Sequence, residues 1–281
     1  MHGSAFDALA SAVARGGAVV LSGAGLSTES GIPDYRGPTG SLRRHTPMTY
    51  QAFVRDPVAR HRYWARSYVG WAPMASARPN AGHLAVTELQ RAGLLGGIIT
   101  QNVDGLQQAA GAQGVLELHG GLDRVVCLDC GSRSGRAELD IRLRAANPTF
   151  DAHVSAINPD GDAELAEAEL DAFTMVGCPV CERGPLKPDV VFFGESVPRD
   201  RVQRCFELVD GAQVLLVLGS SLTVYSGYRF AVRAAKAGLS VVIVNQGPTR
   251  ADEVASLRLD APLGQVLPAL ARAVARPVSC T

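Results

Sequence analysis

Five short, predominantly apolar runs constrain the architecture of this chain most: "AVVLS" (18–22), "GIIT" (97–100), "VLEL" (115–118), "VLLVLG" (214–219) and "VVIVN" (241–245). A strand with one wet face alternates apolar and polar residues. A run that stays apolar fits a strand covered on both faces, as in a parallel sheet held between two helical layers. The segments between the runs carry helix signals. In "NAGHLAVTELQRAG", Asn80 is placed to cap a helix and Gly93 to stop it, and Leu84, Leu89 and Ala92 fall near one face. Residues 198–209, closed by "DGA", and 225–237, closed by Gly238, read the same way. A last helix is expected over 263–275, with Pro268 as an internal kink. This alternation specifies an α/β fold.

Two stretches break the alternation. Residues 38–80, aromatic and Arg-rich, read as a small helical module, and 124–186 hold four paired cysteines and a long polar insert. With 281 residues there is room for one large domain made of 1–37, 81–123 and 187–281 that carries both insertions. The acidic segment "DGDAELAEAELD" reads as a solvated helix face. Lys and Arg balance Asp and Glu, 27 against 27, which gives no electrostatic reason to expect nucleic acid as a partner. No run has the length of a membrane span, and the first residues lack the basic start and apolar stretch of a signal peptide. The expectation is a cytoplasmic monomer.

The cysteines narrow the chemistry. "CLDC" (Cys127, Cys130) and "CPVC" (Cys178, Cys181) are two C-x-x-C knuckles, each able to bring two thiolates to one ion. Together they read as a closed Cys₄ zinc site, which leaves no open coordination position and so serves structure rather than catalysis. Two disulfides or a redox pair are the rival readings, although neither pair opens a helix in a βαβ setting. The loop between the knuckles, 131–177, is longer than a usual zinc ribbon. Cys205, in an apolar helix, and Cys280, in the tail, read as ordinary cysteines.

After the first run comes "LSGAGLSTESGIPDYRG". Gly23 and Gly25 sit where backbone amides at a turn can approach a pyrophosphate. The third glycine of the usual dinucleotide fingerprint is absent, with Thr28 in its place, and no acidic residue closes a second strand to take the ribose hydroxyls. Gly31 and Pro33 break any helix here, and Asp34, Tyr35 and Arg36 add groups able to hold a ribose or a charged ligand; a polar surface loop is the plainer alternative.

"GAGLSTESGIPDYRG", taken with "TQNVDGL" (100–106), "ELHGG" (117–121), the two knuckles, "KPDVVFFGE" (187–195), "GSSLTV" (219–224) and "VNQG" (244–247), resembles the sirtuin family in motif order over nearly the whole chain. "RYWAR" with "GW" (62–71) is similar to the class II branch. The resemblance implies a Rossmann-like parallel-sheet domain with an inserted small zinc-binding and helical domain. It also implies removal of acyl groups from protein lysines at the expense of NAD, a consumed co-substrate, with one structural Zn²⁺. Gly23, Ala24 and Gly25 would serve the phosphate cradle, and Thr28, Asp34, Tyr35 and Arg36 a flap that closes over the reacting ribose. Asp104 with Ile32 would hold the nicotinamide carboxamide, while Asn102 and Gln101 contact the ribose and ordered water; helix capping is the plainer role for Asn102 or Asp104. Gly219, Ser220, Ser221, Asn245, Gln246 and Gly247 would meet the adenosine half, with Leu263 near the adenine.

His119 would act as the base. In the implied sequence the acyl-lysine oxygen displaces nicotinamide, neutral His119 takes a proton from a ribose hydroxyl that then attacks, and water releases lysine and O-acyl-ADP-ribose. An imidazole near its ordinary pKa suits that task. "VVFFGE" and "YSGY" (225–228) resemble the two edges between which an acylated peptide adds as a strand. Val191 and Phe193 would then line the acyl-lysine tunnel, with ordinary strand core as the plainer reading, and Gly194 and Glu195 would also bind the substrate. Gln107 departs from the histidine common among relatives. Tyr63 and Arg66 form a Y-x-x-R spacing that in the desuccinylase branch holds an acidic acyl group, so longer or acidic acyl chains are expected over acetyl; a surface arginine beside a packed aromatic is the plainer reading, since the surrounding residues differ from that branch. Transfer of ADP-ribose to protein, or a non-catalytic NAD- or acyl-lysine-binding module, would use the same residues.

Overall fold

A computed structural model of the chain describes residues 3–34, 47–150 and 170–274. Tyr35, Arg36, the start of the 38–80 stretch, the acidic segment up to 169, residue 275 and Cys280 lie outside the described residues. The strands are β1 (Ala18–Ser22), β2 (Leu95–Thr100), β3 (Leu116–Glu117), β4 (Gly120–Cys127), β5 (Arg133–Gly135), β6 (Leu186–Val190), β7 (Val214–Leu218), β8 (Ser240–Val244) and β9 (Leu257–Leu259). The α-helices that lie wholly within the described residues are α1 (Ser4–Ala14), α2 (Tyr50–Arg55), α3 (Pro57–Ser76), α4 (Ala81–Arg91), α5 (Leu106–Ala109), α6 (Arg136–Ala146), α7 (Arg199–Asp210), α8 (Tyr225–Lys236) and α9 (Leu263–Val274).

The parallel sheet expected from the apolar runs has six strands in the order β3-β2-β1-β7-β8-β9. Side chains alternate along each strand, so an all-apolar run feeds two cores at once. Ala18, Val20, Leu216 and Val242 pack with α1, α4 and α9, and Val19, Leu21, Leu215 and Ile243 pack with α7 and α8. The run at 115–118 departs from this pattern. β3 covers two residues at the sheet edge, and both are only partly buried because β2 is their one strand neighbour. β9 was not anticipated, since "LRL" is short and carries a charge.

Asn80 caps α4, accepting from the Gly82 and His83 amides, and Gly93 follows it with φ 73°, the left-handed geometry of a helix stop. The apolar face differs from the expected one. Leu84 is 49% exposed and Ala92 is exposed, because the buried arc centres on Val86 with Gly82, His83 and Leu89; a residue two positions from Val86 points away from it. Gln107, on α5, is buried and donates to His83 O and Thr87 Oγ1, which ties α5 to α4.

A second sheet, antiparallel in the order β5-β4-β6, stands beside the first. Helices α2 and α3 share its core, in which Phe53, Tyr63 and Trp64 meet Leu122, Val125, Leu139, Leu186 and Phe192. Trp64 Nε1 donates to the Leu186 carbonyl at 2.8 Å, and the buried Arg136 guanidinium lies 4.8 Å from the Trp71 ring centroid. Cys205 is buried in α7. Among the described residues no helix is long and apolar enough to cross a membrane.

Candidate active site

The winding of the large sheet reverses between β1 and β7, and a crevice opens beyond the carboxyl ends of strands at such a point. Here two loops interlock. Gly23 N donates to Leu218 O and Gly25 N to Gly219 O, at 2.9 and 2.8 Å. A Cβ at Gly25 would stand 2.9 Å from Gly219 Cα, and one at Gly23 2.7 Å from Ser220 Cβ. The glycines therefore let one backbone lie against another, their own amides being spent on Leu218 O and Gly219 O. Gly25→Ala is expected to cost about 1–3 kcal/mol by overpacking, read in thermal melts, and to weaken NAD binding, read by calorimetry. An unchanged melt and affinity would remove this role for the glycine.

The interlocked loops floor a cavity of about 1220 Å³. Its lining gathers Gly23, Ala24, Gly25, Ile32 and Asp34 from the first loop, Gln101, Asn102 and Asp104 after β2, and His119 after β3. It adds Gly219, Ser220 and Ser221 after β7, Asn245, Gln246 and Gly247 after β8, and Val191, Phe193, Gly194 and Glu195 on the facing wall. Four proposed residues are not part of this lining. Thr28 turns its hydroxyl back to Gly25 O at 3.1 Å, and Leu263 is buried in the core beneath Gly219. Tyr63 is enclosed by the rings of Phe53, Trp64 and Phe192, and Arg66 shares its helix, with Nε buried and lacking a hydrogen-bond partner. Tyr35 and Arg36 fall outside the described residues.

A polar network unanticipated from sequence fixes the cavity's inner end. Asn80 N donates to His83 Nδ1, so the ring proton lies on Nε2, which donates to Ser27 Oγ at 3.4 Å. Ser27 Oγ also accepts from Asn102 Nδ2 at 3.0 Å and donates to Asp104 Oδ2 at 2.6 Å. The other Asp104 oxygen accepts from Leu106 N, so this carboxylate ties down the first amide of α5 from the residue before its Gly105 N-cap, while Asp104 lines the cavity. Burial raises the Asp104 pKa against the hydrogen bonds from Ser27 and Leu106, and burial pushes His83 down to about 4. The N-cap and N3 spacing of Asn80 and His83 is the one signal in the sequence that could have revealed His83.

His119 lies in the turn between β3 and β4. Its Nδ1 is 3.0 Å from Gln101 O, and its Nε2 is 2.8 Å from Ser226 Oγ. A carbonyl only accepts, so Nδ1 carries the proton of the neutral ring and Nε2 presents the lone pair. The ordinary imidazole pKa expected from sequence is not what the site produces. Burial, opposed by the Gln101 carbonyl and helped by the charges of Arg201 and Arg229, lowers it to about 4. His119 is thus a neutral acceptor over the working pH range. Gly120 follows with φ 82°, and a Cβ there would overlap the Asp189 carbonyl, which accounts for the His-Gly pair.

The cysteine sulfurs converge at the end of the small sheet. All four lie within 4.8 Å of one another, with Cys127–Cys181 at 3.6 Å and Cys130–Cys178 at 3.7 Å. A tetrahedral ion bound at about 2.3 Å sets its sulfurs about 3.8 Å apart, so the cluster fits Zn²⁺. None of the five described cysteines is in a disulfide. A Cβ at Gly184 would overlap Cys127 Sγ, so the turn before β6 needs glycine to let the sulfurs close.

The geometry agrees with known proteins. NAD-dependent protein deacetylase 1 of Streptomyces coelicolor is 60% identical over 263 residues, covering 94% of this chain and 88% of that protein. NAD-dependent protein deacetylase 1 of Corynebacterium efficiens is 50% identical over 255 residues, with 89% and 91% covered. A solved structure described as "Structural Basis for the Mechanism and Regulation of Sir2 Enzymes" superposes with TM-score 0.76 at 32% identity, covering 96% of this chain and 97% of that one. One described as "Sir2-p53 peptide-NAD+" superposes with TM-score 0.72 at 30% identity, over 91% and 92%. The Sir2 family model matches residues 23–226, and with the parallel sheet, the glycine cradle and the four-cysteine module in place, this chain belongs to the Sir2 family.

Proposed function

We propose that the cavity removes acyl groups from protein lysines with consumption of NAD. The observation that carries this reading is the meeting, in one crevice, of a glycine cradle at the sheet's switch point and a neutral imidazole that lines the same space with Ser226 at its Nε2. Family membership and the 60%-identical deacetylase support it. On this reading Gly23, Ala24 and Gly25 hold the pyrophosphate, and Ser220, Ser221 and Asn245 the adenosine half. Asp104, held by Ser27 and Leu106, orients the carboxamide of NAD beside Ile32. Asn102, which also donates to Gly23 O at 3.1 Å, stands by the ribose. His119 takes the proton from the ribose hydroxyl. The acylated lysine enters along the Val191–Phe193 wall. Zn²⁺, held by Cys127, Cys130, Cys178 and Cys181, keeps the small sheet closed. Incubating an acyl-peptide panel with NAD, followed by mass spectrometry, should give nicotinamide, bare lysine and O-acyl-ADP-ribose. An ADP-ribosylated acceptor with the acyl-lysine intact would instead make the chain a transferase.

The preference for longer or acidic acyl chains needs a cation on the cavity. Arg66 is not on the lining, whereas Arg199 and Arg229 are; of the two, Arg229 has its Nε buried and without a hydrogen-bond partner. A carboxylate-bearing acyl chain therefore finds its counter-ion at Arg229. If glutaryl-type peptides exceed acetyl peptides in kcat/KM, Arg229→Ala should reduce that ratio by about ten-fold or more, and Arg66→Ala should leave it. Equal rates on both acyl groups in the wild type end the idea.

A further inference from the structure

The first turn of α8 is docked against the base, and the sirtuin motifs read from the sequence give that contact no role. Ser226 Oγ lies 2.8 Å from His119 Nε2. The approach is built into the backbone: a Cβ at Gly227, the next residue, would overlap the Gln101 side-chain oxygen. Gln101 in turn holds the opposite nitrogen of His119 through its carbonyl and bonds Ser220 Oγ and Ser22 O through its amide. Imidazole, Gln101 and the start of α8 form one assembly, with the imidazole gripped at both nitrogens. Arg229, one turn along α8 from Ser226, also lines the cavity.

We propose that Ser226 is the positioning residue of the base, first aiming Nε2 and then receiving its new proton's hydrogen bond. The assignment rests on His119 acting as base in the deacylation reading above. While the ring is neutral and the ribose is not yet in place, the Ser226 hydroxyl donates to the Nε2 lone pair and fixes the ring plane; when the ribose hydroxyl arrives, the Ser226 O–H turns away and yields the lone pair to it. When the ribose O–H bond breaks and the Nε2–H bond forms, the ring carries two N–H groups, and Gln101 O accepts only one. The ribose oxygen must leave Nε2 to attack the acyl carbon, and a charged N–H without another acceptor would hold it back. Ser226 Oγ is already within hydrogen-bond distance and accepts in its place. The hydroxyl both donates and accepts, so one side chain serves both stages.

The reaction separates the stages: exchange of labelled nicotinamide into NAD, in the presence of acyl peptide, precedes the base, and lysine release follows it. Ser226→Ala should lower lysine release about ten- to a hundred-fold and keep exchange within about two-fold of wild type, as a lost hydrogen bond to a charged group predicts. Ser226→Thr, which keeps the hydroxyl, should restore most of the release. Equal loss in both assays, or no loss in either, overturns the assignment, as does a Thr variant no better than Ala despite wild-type exchange. Failure of the deacylation reading would show differently, as a wild type that neither exchanges nicotinamide nor releases lysine.

Discussion

Alanine at His119 is expected to lower kcat/KM for lysine release by about 10³-fold, within the usual 10²–10⁴ range of general-base catalysis, while zinc content and melting temperature stay near wild type. The side chain touches Gln101 O and Ser226 Oγ at the cavity and belongs to none of the three cores, so removing it should cost function rather than folding. The same residue sets a pH signature. Burial disfavours the imidazolium form, so the protonated fraction grows only as pH falls toward about 4, and the base is competent above that value. The acid limb of kcat/KM, which reports the free enzyme, should lie near that pH rather than near 6.5. Measuring kcat/KM from mildly basic to acidic pH checks this, and a limb centred on an ordinary histidine pKa would contradict it. An alanine variant with wild-type release would remove His119 from the reaction.

Metal removal should produce the other large effect. The four sulfurs close the end of β4 and the turn before β6, and Cys127 and Cys178 are buried members of the core shared by α2, α3 and the small sheet. Without an ion, thiolates crowded this closely repel or take up protons, and the core loses its fastening. Metal ligation of this kind is folding free energy. Chelation, or Cys178→Ala, is expected to lower the melting temperature by about 10 °C or more, as a loss of several kcal/mol does in a protein of this size. The large sheet has its own cores on both faces, so calorimetry should still detect NAD binding after the small sheet loosens. An unchanged melt at verified loss of metal would show that the cluster does not hold the structure.

Much of this was legible in the sequence because it depends on neighbours along the chain. The apolar runs at 18–22, 214–219 and 241–245 become buried strands because period and composition alone tell a two-faced strand from a one-faced one. The cysteine knuckles and the glycines of the first loop carry their chemistry within a few residues. The polar contacts of the site were not legible. Ser27 meets Asp104 and Ser226 meets His119 across 77 and 107 residues, and only the sheet order brings them together. Helix α4 shows a second limit: with alanines and a threonine on several faces, its pattern did not fix whether Leu84 or Val86 points inward. Tyr63 and Arg66 show a third. Their spacing places them one turn apart, but α3 is aromatic along much of its length, and spacing does not say which side meets the cavity and which meets Phe53 and Phe192.

The imidazole hangs on the two-residue link between β3 of the large sheet and β4 of the small one, and the His119 backbone carbonyl accepts from Val191 N at 2.8 Å, just past β6. It is the keystone of a joint rather than a fixture of either body. A chimera that swaps the small sheet between homologues must carry residues 118–120 and 190–191 across together. A graft cut inside that joint would inherit two sound halves and a misaimed base.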